Sequence, residues 1–580
     1  MNAQNANHLL ARAFADQCRR WARQLNAPEM GVDAAGKAGF ALALAVPEGK
    51  IRVSLAGTAL DSAALHASGV AGDPDSGKPL IMDDAGHLYL ARYFVAEARL
   101  NADLLARHRA APPPGEPARQ MLARLFPAQH APDEQKRAVA LALLRRLVLI
   151  SGGPGTGKTF TVARLLACLL ADNPTLRIAL AAPTGKAAAR MQETLRLRAR
   201  DLPPEIIRLL PPDATTLHRL LGLGVEGGAP RHHANNPLAL DALVVDEASM
   251  LDLMLAQQLC AALPPHARLI LLGDKAQLQA VEAGSLFAML STRAELSAAT
   301  RAALVELTGE AEPSIAEDAQ DVDPSPFQDA VIQLTQSRRF PPESPLGRLA
   351  RHLAAGEVPA ALALLDQDYA ELHCLESSGN ARSSAENALL TSGYAAYWNA
   401  LANWRVGDDP KPLFQALDSF RVLCVVREGE RGVSGVNRAF AALKGQSGLP
   451  ILIQRNDDAL RLFNGDIGIL LEHGEDNELC ACFPAEAGGY RWLPLSRLPA
   501  WEGAFAMSVH KAQGSEFGRI ALVLPEQDNP LMTRELLYTA LTRARQGIAL
   551  LGARALIRSA IARRQRTEDF TAPCLPSSVL

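Results

Sequence analysis

Between residues 118 and 330 the apolar positions fall in short solid runs separated by stretches of helical spacing. Solid runs of this length mark strands buried on both faces of a parallel sheet. They are Leu147–Ile150, Arg177–Ala182, Ala242–Val245 and Arg268–Leu272, and Lys158–Leu170 follows the first with helical periodicity. The alternation predicts an α/β domain whose ligands sit at the carboxyl ends of the strands. From residue 331 to 580 a second such unit is predicted, with strands Arg421–Val426, Arg519–Leu524 and Gly547–Leu551. Leu449–Leu498 interrupts it with short, turn-rich β-like segments, which predicts a small barrel-like insert.

Residues 1–110 have a different texture and predict a small α+β domain suited to packing or partner docking. His8–Leu25 has helical spacing, Phe40–Val46 and Ile51–Leu55 read as strands, and Pro79–Tyr93 reads as a hairpin turning at Asp83–Gly86. A further helix is expected to end near His108. Ala111–Pro117, APPPGEP, fits neither a helix nor a central strand and marks a linker. Residues 308–326 are acidic, proline-bearing and poor in apolar residues, which predicts a mobile insert.

Composition narrows the picture. The 580 residues fit about three or four domains. The net charge of −3 does not mark a nucleic-acid binder, so any such binding must come from a local groove. No apolar run approaches the length of a membrane span, and the amphipathic N-terminus has no signal-peptide core, so a cytoplasmic protein is expected. The eight cysteines form no C-x-x-C pair and read as reduced thiols.

The chemistry concentrates at strand ends. Gly152, Gly153, Pro154, Gly155, Thr156, Gly157, Lys158 and Thr159 form the phosphate-binding loop G-x-x-x-x-G-K-[ST] between strand and helix. Its glycines let successive N–H groups turn toward phosphate, and the helix N-terminus adds positive charge. Lys158 suits the β/γ-phosphates of ATP, and the Thr159 hydroxyl suits Mg²⁺. Asp246 and Glu247 follow the strand Ala242–Val245, where Asp246 would hold Mg²⁺ through water and Glu247 would orient or deprotonate the attacking water. Gln277, in the loop after the next strand, can reach the γ-phosphate. Gln135 can pair with adenine. Glu134-x-Lys136 also has a nuclease-like spacing, but no aspartate on a preceding strand completes it. Thr184 and Lys186, and Thr216 to Arg219 with His218, are candidate contacts to nucleic-acid phosphate or ordinary helix caps. Arg338, Arg339, Arg543 and Arg545 are candidate arginine fingers in the second unit. His510 to Glu516, including Gly514, form a polar loop. His232 and His233 lack further ligands for a metal.

The order of these motifs resembles the full series of superfamily 1 helicases of the 5′-to-3′ branch, most closely the RecD family, the alpha subunit of exonuclease V. RHHANNPL before VVDEASM, REGERGVSGVN at 427–437, NGDIG at 464–468 and the hairpin PLIMDDAGHLYLARY add to the likeness. The resemblance implies two RecA-like motor domains, ATP and Mg²⁺, single-stranded DNA, and RecB and RecC partners, with the nuclease site in RecB. It implies γ-phosphate roles for Arg339 and Arg543, with Arg338 beside the first as the alternative. It also implies that Thr184, Lys186, His218 and His510 line the DNA groove, and that residues 223–238 form a small pin. A stand-alone RecD-like helicase and a nucleotide-binding regulatory scaffold are the alternatives. A relaxase would need an N-terminal tyrosine and a three-histidine site, which residues 1–110 do not offer.

Overall fold

The computed structural model describes residues 3–127, 133–223, 229–279, 283–291, 295–310, 327–337, 339–377, 379–444, 446–457, 459–485 and 489–565. Two parallel sheets organise the chain. The first runs in the order Val331–Leu334, Leu147–Gly152, Arg268–Gly273, Ala242–Val245, Ile178–Ala182, Ala214–Thr216. Its central strands are fully buried, which is why they read as solid apolar runs. The second runs Leu372–Leu375, Ala544–Leu551, Phe517–Val523, Phe420–Cys424, Ala506–Ser508.

One expectation changes here. The sequence put residue 331 at the start of the second unit, but Val331–Leu334 adds to the edge of the first sheet beside the phosphate-loop strand, with Leu334 opposite Gly152. The chain crosses only after it: Phe340 is buried in the core of the second lobe with Leu346 and Leu537. A four-residue apolar strand carries no mark of which sheet it joins. The acidic 308–326 segment lies mostly outside the described residues.

The insert is a five-stranded antiparallel sheet, ordered Tyr490–Pro494, Glu478–Pro484, Ile467–His473, Pro450–Ile453, Trp501–Gly503. Among the described residues its two edge strands do not pair, so the expected barrel closure is absent there. It also runs to Gly503, past the expected limit at 498.

In the N-terminal domain, the hairpin Leu80–Met82 and His87–Leu90 turns where expected. Phe40–Val46, expected as a strand, instead ends the helix Glu29–Ala45. The large–small alternation FALALA imitates period two, yet alanine favours helix. Gly36 and Gly39 let this helix lie against the helix Ala3–Gln24; a Cβ at Gly39 would sit 2.6 Å from Cys18 Sγ.

This domain is fused to the first lobe rather than merely tethered. Tyr89, Tyr93 and Phe94 share one core with Leu253, Leu259 and Leu271. The buried Arg107, at the end of the helix Ala91–Arg107, donates to the carbonyls of Leu263, Pro264 and Ala267 at 3.2, 2.8 and 2.7 Å. Arg107→Met keeps the stem and strands these carbonyls, at a cost of about 3 kcal/mol. Amide exchange in Ala91–Arg107 is expected to quicken roughly a hundredfold; unchanged rates would mean the seam is held by apolar packing alone.

Candidate functional site in the cleft between the two sheets

The loops at the carboxyl ends of the first sheet face loops at the amino ends of the second. Between them lies a cleft of about 400 Å³. From the first lobe it is lined by Gln135, Gly153, Pro154, Gly155, Gly157, Lys158, Thr159, Asp246, Glu247 and Gln277; Arg339, Gly514, Glu516 and Arg543 line the opposite side.

The phosphate loop has the backbone that its glycines permit. Gly155 and Gly157 sit at φ +77° and +87°. Thr156 Oγ1 donates to the carbonyl of Gly153 at 2.8 Å, and Gln135 Nε2 donates to the carbonyl of Thr156 at the same distance. The Gln135 amide therefore braces the loop, an arrangement the sequence did not suggest. Lys158 Nζ lies on the carbonyls of Gly152 and Gly153, at 2.5 and 3.3 Å. Gly152 itself is the last residue of the strand beneath. Glu134 and Lys136 are structural: Glu134 accepts from the Thr335 N–H at 2.7 Å, and Lys136 donates to the Thr308 carbonyl at 2.6 Å.

Asp246 follows the strand Ala242–Val245 and accepts from the Glu247 N–H at 2.8 Å. Glu247 holds φ +51°, a costly conformation for a non-glycine residue and one that clusters at functional sites. Burial, and then the neighbouring Glu247 charge, push the Asp246 carboxyl up to about 6. Such a buried carboxylate welcomes a cation. Among the described residues no cluster of three or more His, Cys, Asp or Glu forms a ligand cage. A hydroxyl and a carboxylate beside a phosphate cradle fit Mg²⁺, which retains waters and takes its other ligands from substrate phosphate.

The arginines meet this centre from the other side. Arg543 is buried and donates to Gln277 Oε1 at 3.0 Å and to the Ser515 carbonyl at 3.3 Å. Gln277 in turn donates to Asp274 at 3.1 Å. Arg339 follows the added edge strand rather than a strand of the second sheet, and donates to Glu516 at 2.6 Å. Arg338 lies outside the described residues. Glu516 also pairs with Arg190, whose guanidinium donates to the Gly514 carbonyl at 3.3 Å. Burial, with Arg190, Arg543 and Arg545 nearby, pulls Arg339 down to about 10. Sequence reasoning missed Arg190, because its partner Glu516 belongs to the distant second lobe.

The other candidates stand apart from this cleft. Thr184 caps the helix Gly185–Ala199 by accepting from the Ala187 N–H, and Lys186 lies in its first turn. His218 is exposed on Leu217–Leu221, after the strand that pairs with Ile178–Ala182. Thr184, Lys186 and His218 thus leave the first sheet side by side, while His510 follows Ala506–Ser508 in the second. The bare Gly185 lets Phe463 of the insert approach; a Cβ there would sit 3.0 Å from its ring. Part of the pin, residues 224–228, lies outside the described residues; beyond it, His233 and Asn236 close a turn.

A phosphate loop on one parallel sheet, met by Arg543 before a strand of a second and by Arg339 where the chain crosses between them, defines a two-lobed motor ATPase. Residues 135–283 match the AAA domain, and 503–551 match the UvrD-like helicase C-terminal domain. The RecBCD enzyme subunit RecD of Haemophilus influenzae is 36% identical over 76% of this chain and 72% of that protein. The same subunit from Mycobacterium tuberculosis is 37% identical over 87% of this chain and 82% of its own length. The ATP-dependent RecD2 DNA helicase of Deinococcus radiodurans is 30% identical over 83% of this chain and 58% of that protein. The chain belongs to the RecD family.

Gly155 offers a direct test of the cleft. A Cβ there would lie 2.4 Å from Arg339 Cβ and 2.8 Å from its nitrogen, at a φ that already costs a side chain about 1–2 kcal/mol. Gly155→Ala is expected to weaken ATP binding at least roughly tenfold, read by calorimetry. Parent-like affinity would contradict the close approach.

Proposed function

We propose that the chain is an ATP-driven helicase that moves 5′ to 3′ along single-stranded DNA as one subunit of a RecBCD-type recombination nuclease. RecB and RecC are its partners, and the nuclease site belongs to a partner. The observation that carries the motor reading is the buried Arg543–Gln277 contact beside the phosphate loop. It gives the second lobe a direct interest in what occupies the first. The RecD names of relatives aligned along most of the chain support the assembly.

ATP binds with its triphosphate on the phosphate-loop N–H groups, and Lys158 turns from its carbonyl partners to the β/γ-phosphates. Thr159 and Asp246 would hold Mg²⁺, whose charge would offset that of the phosphates. Glu247 orients and deprotonates the attacking water. Gln277, Arg339 and Arg543 read the γ-phosphate from both lobes, so hydrolysis relaxes the closure that binding favours. Thr184, Lys186, His218 and His510 grip the strand, so closing and opening become a step. The grip is mostly to phosphate and therefore independent of sequence.

Lys158→Gln and Arg543→Ala are each expected to lower DNA-stimulated ATP turnover by at least about a thousandfold; normal turnover in either would refute the motor. Displacement of 5′-tailed but not 3′-tailed duplexes tests polarity, and co-purification with two large partners separates a complex subunit from a stand-alone helicase.

The Lys186 grip carries a pH signature. Burial, then the nearby Arg421 charge, pull its ammonium down to about 8. A lysine with a lowered pKa sheds its charge early, so affinity for single-stranded DNA should fall between about pH 7 and 9. Lys186→Gln should flatten that slope in a fluorescence titration; an equal slope in the variant would exclude Lys186 from the grip.

A further inference from the structure

A tyrosine with no part in the mechanism above lies directly behind the cleft. Tyr538 belongs to the helix Arg534–Leu541 of the second lobe and is buried. Its hydroxyl lies beside the carboxyl of Asp274, which belongs to the first lobe and is buried as well. Asp274 is the residue that also accepts from Gln277 Nε2 and from the Ala276 N–H, at 3.1 and 3.0 Å. The same hydroxyl lies 2.9 Å from where a Cβ of Gly153 would stand, and the next nearest atom to that point is Asp274 Oδ2 at 4.0 Å. Gly153 has no positive φ, so its backbone would accept an alanine. The phenol, not the backbone, keeps this position bare.

Neighbouring contacts cross the same seam. The Leu278 N–H donates to Thr539 Oγ1 at 2.8 Å, Gln513 Nε2 donates to the Leu278 carbonyl at 3.1 Å, and the Leu278 side chain is buried in the core of the second lobe. The second lobe therefore grasps Gln277 and Leu278, and the Tyr538 hydroxyl stands over Gly153 of the phosphate loop.

We propose that Tyr538 is a positioning residue for ATP hydrolysis: its hydroxyl, set beside Asp274 and over Gly153, seats the phosphate loop and the Gln277–Arg543 pair in one register when the lobes close. This rests on the ATPase reading above. Burial keeps the phenol well above its ordinary pKa, so it remains a donor throughout the working pH range.

The test is a four-protein cycle: parent, Tyr538→Phe, Gly153→Ala and the double variant. Each is measured for ADP affinity, affinity for a non-hydrolysable ATP analogue, and DNA-stimulated kcat and KM. Tyr538→Phe removes one oxygen and keeps the ring. It is expected to lower kcat about tenfold while KM, ADP affinity and melting temperature hold. Gly153→Ala is expected to lower analogue affinity more than ADP affinity, and the double variant should recover most of that loss, because the obstructing oxygen is gone. Parent-like kcat in Tyr538→Phe, an equal loss of ADP affinity and melting temperature, or additive losses in the double variant would each overturn the inference. A parent that never hydrolyses ATP would defeat the motor reading instead, and the analogue affinities of the cycle would still judge the Tyr538 contact.

Discussion

A guanidinium from one lobe and a carboxamide from the other share a buried hydrogen bond, Arg543 to Gln277, and the working geometry hangs on that crossing. Both partners are buried and each keeps a further hydrogen bond within its own lobe, Arg543 to the Ser515 carbonyl and Gln277 to Asp274, so the crossing bond joins two side chains that are already held in place. The bond lies beside the phosphate loop, which makes the lobes answerable to whatever the loop holds.

Charge gives the cleft its direction. Burial, and then the neighbouring arginine charges, hold Arg190 and Arg339 below the ordinary guanidinium range, and Glu516 is the counter-charge shared by Arg190, Arg339 and Arg545. Across the cleft, burial holds Asp246 and Asp274 above the ordinary carboxylate range. Such a place disfavours its own charges when alone and favours them when a phosphate chain and a cation are brought in together.

Much of this was legible in the chain. The phosphate loop, the Asp246–Glu247 pair and the buried strands beneath them are local features, set by spacing and by burial on both faces. What escaped depends on partners far apart in sequence. Val331–Leu334 joins the first sheet because the phosphate-loop strand offers it an open edge, which no property of those four residues declares. Arg190 reads as a surface arginine until Glu516 is set beside it. Gln135 also braces the phosphate loop through the Thr156 carbonyl, a contact that its place in the sequence does not declare. Phe40–Ala45 has the alternation of large and small apolar residues that marks a strand, yet it ends a helix that packs closely on Cys18 through Gly39.

The most direct measurement is a structure of the protein with single-stranded DNA and a transition-state analogue of ATP hydrolysis. The account predicts the analogue on Lys158, with Arg339 and Arg543 both turned to its terminal phosphate mimic and Gln277 between them. An analogue bound away from Lys158, or both arginines facing elsewhere in that closed and loaded form, would contradict it.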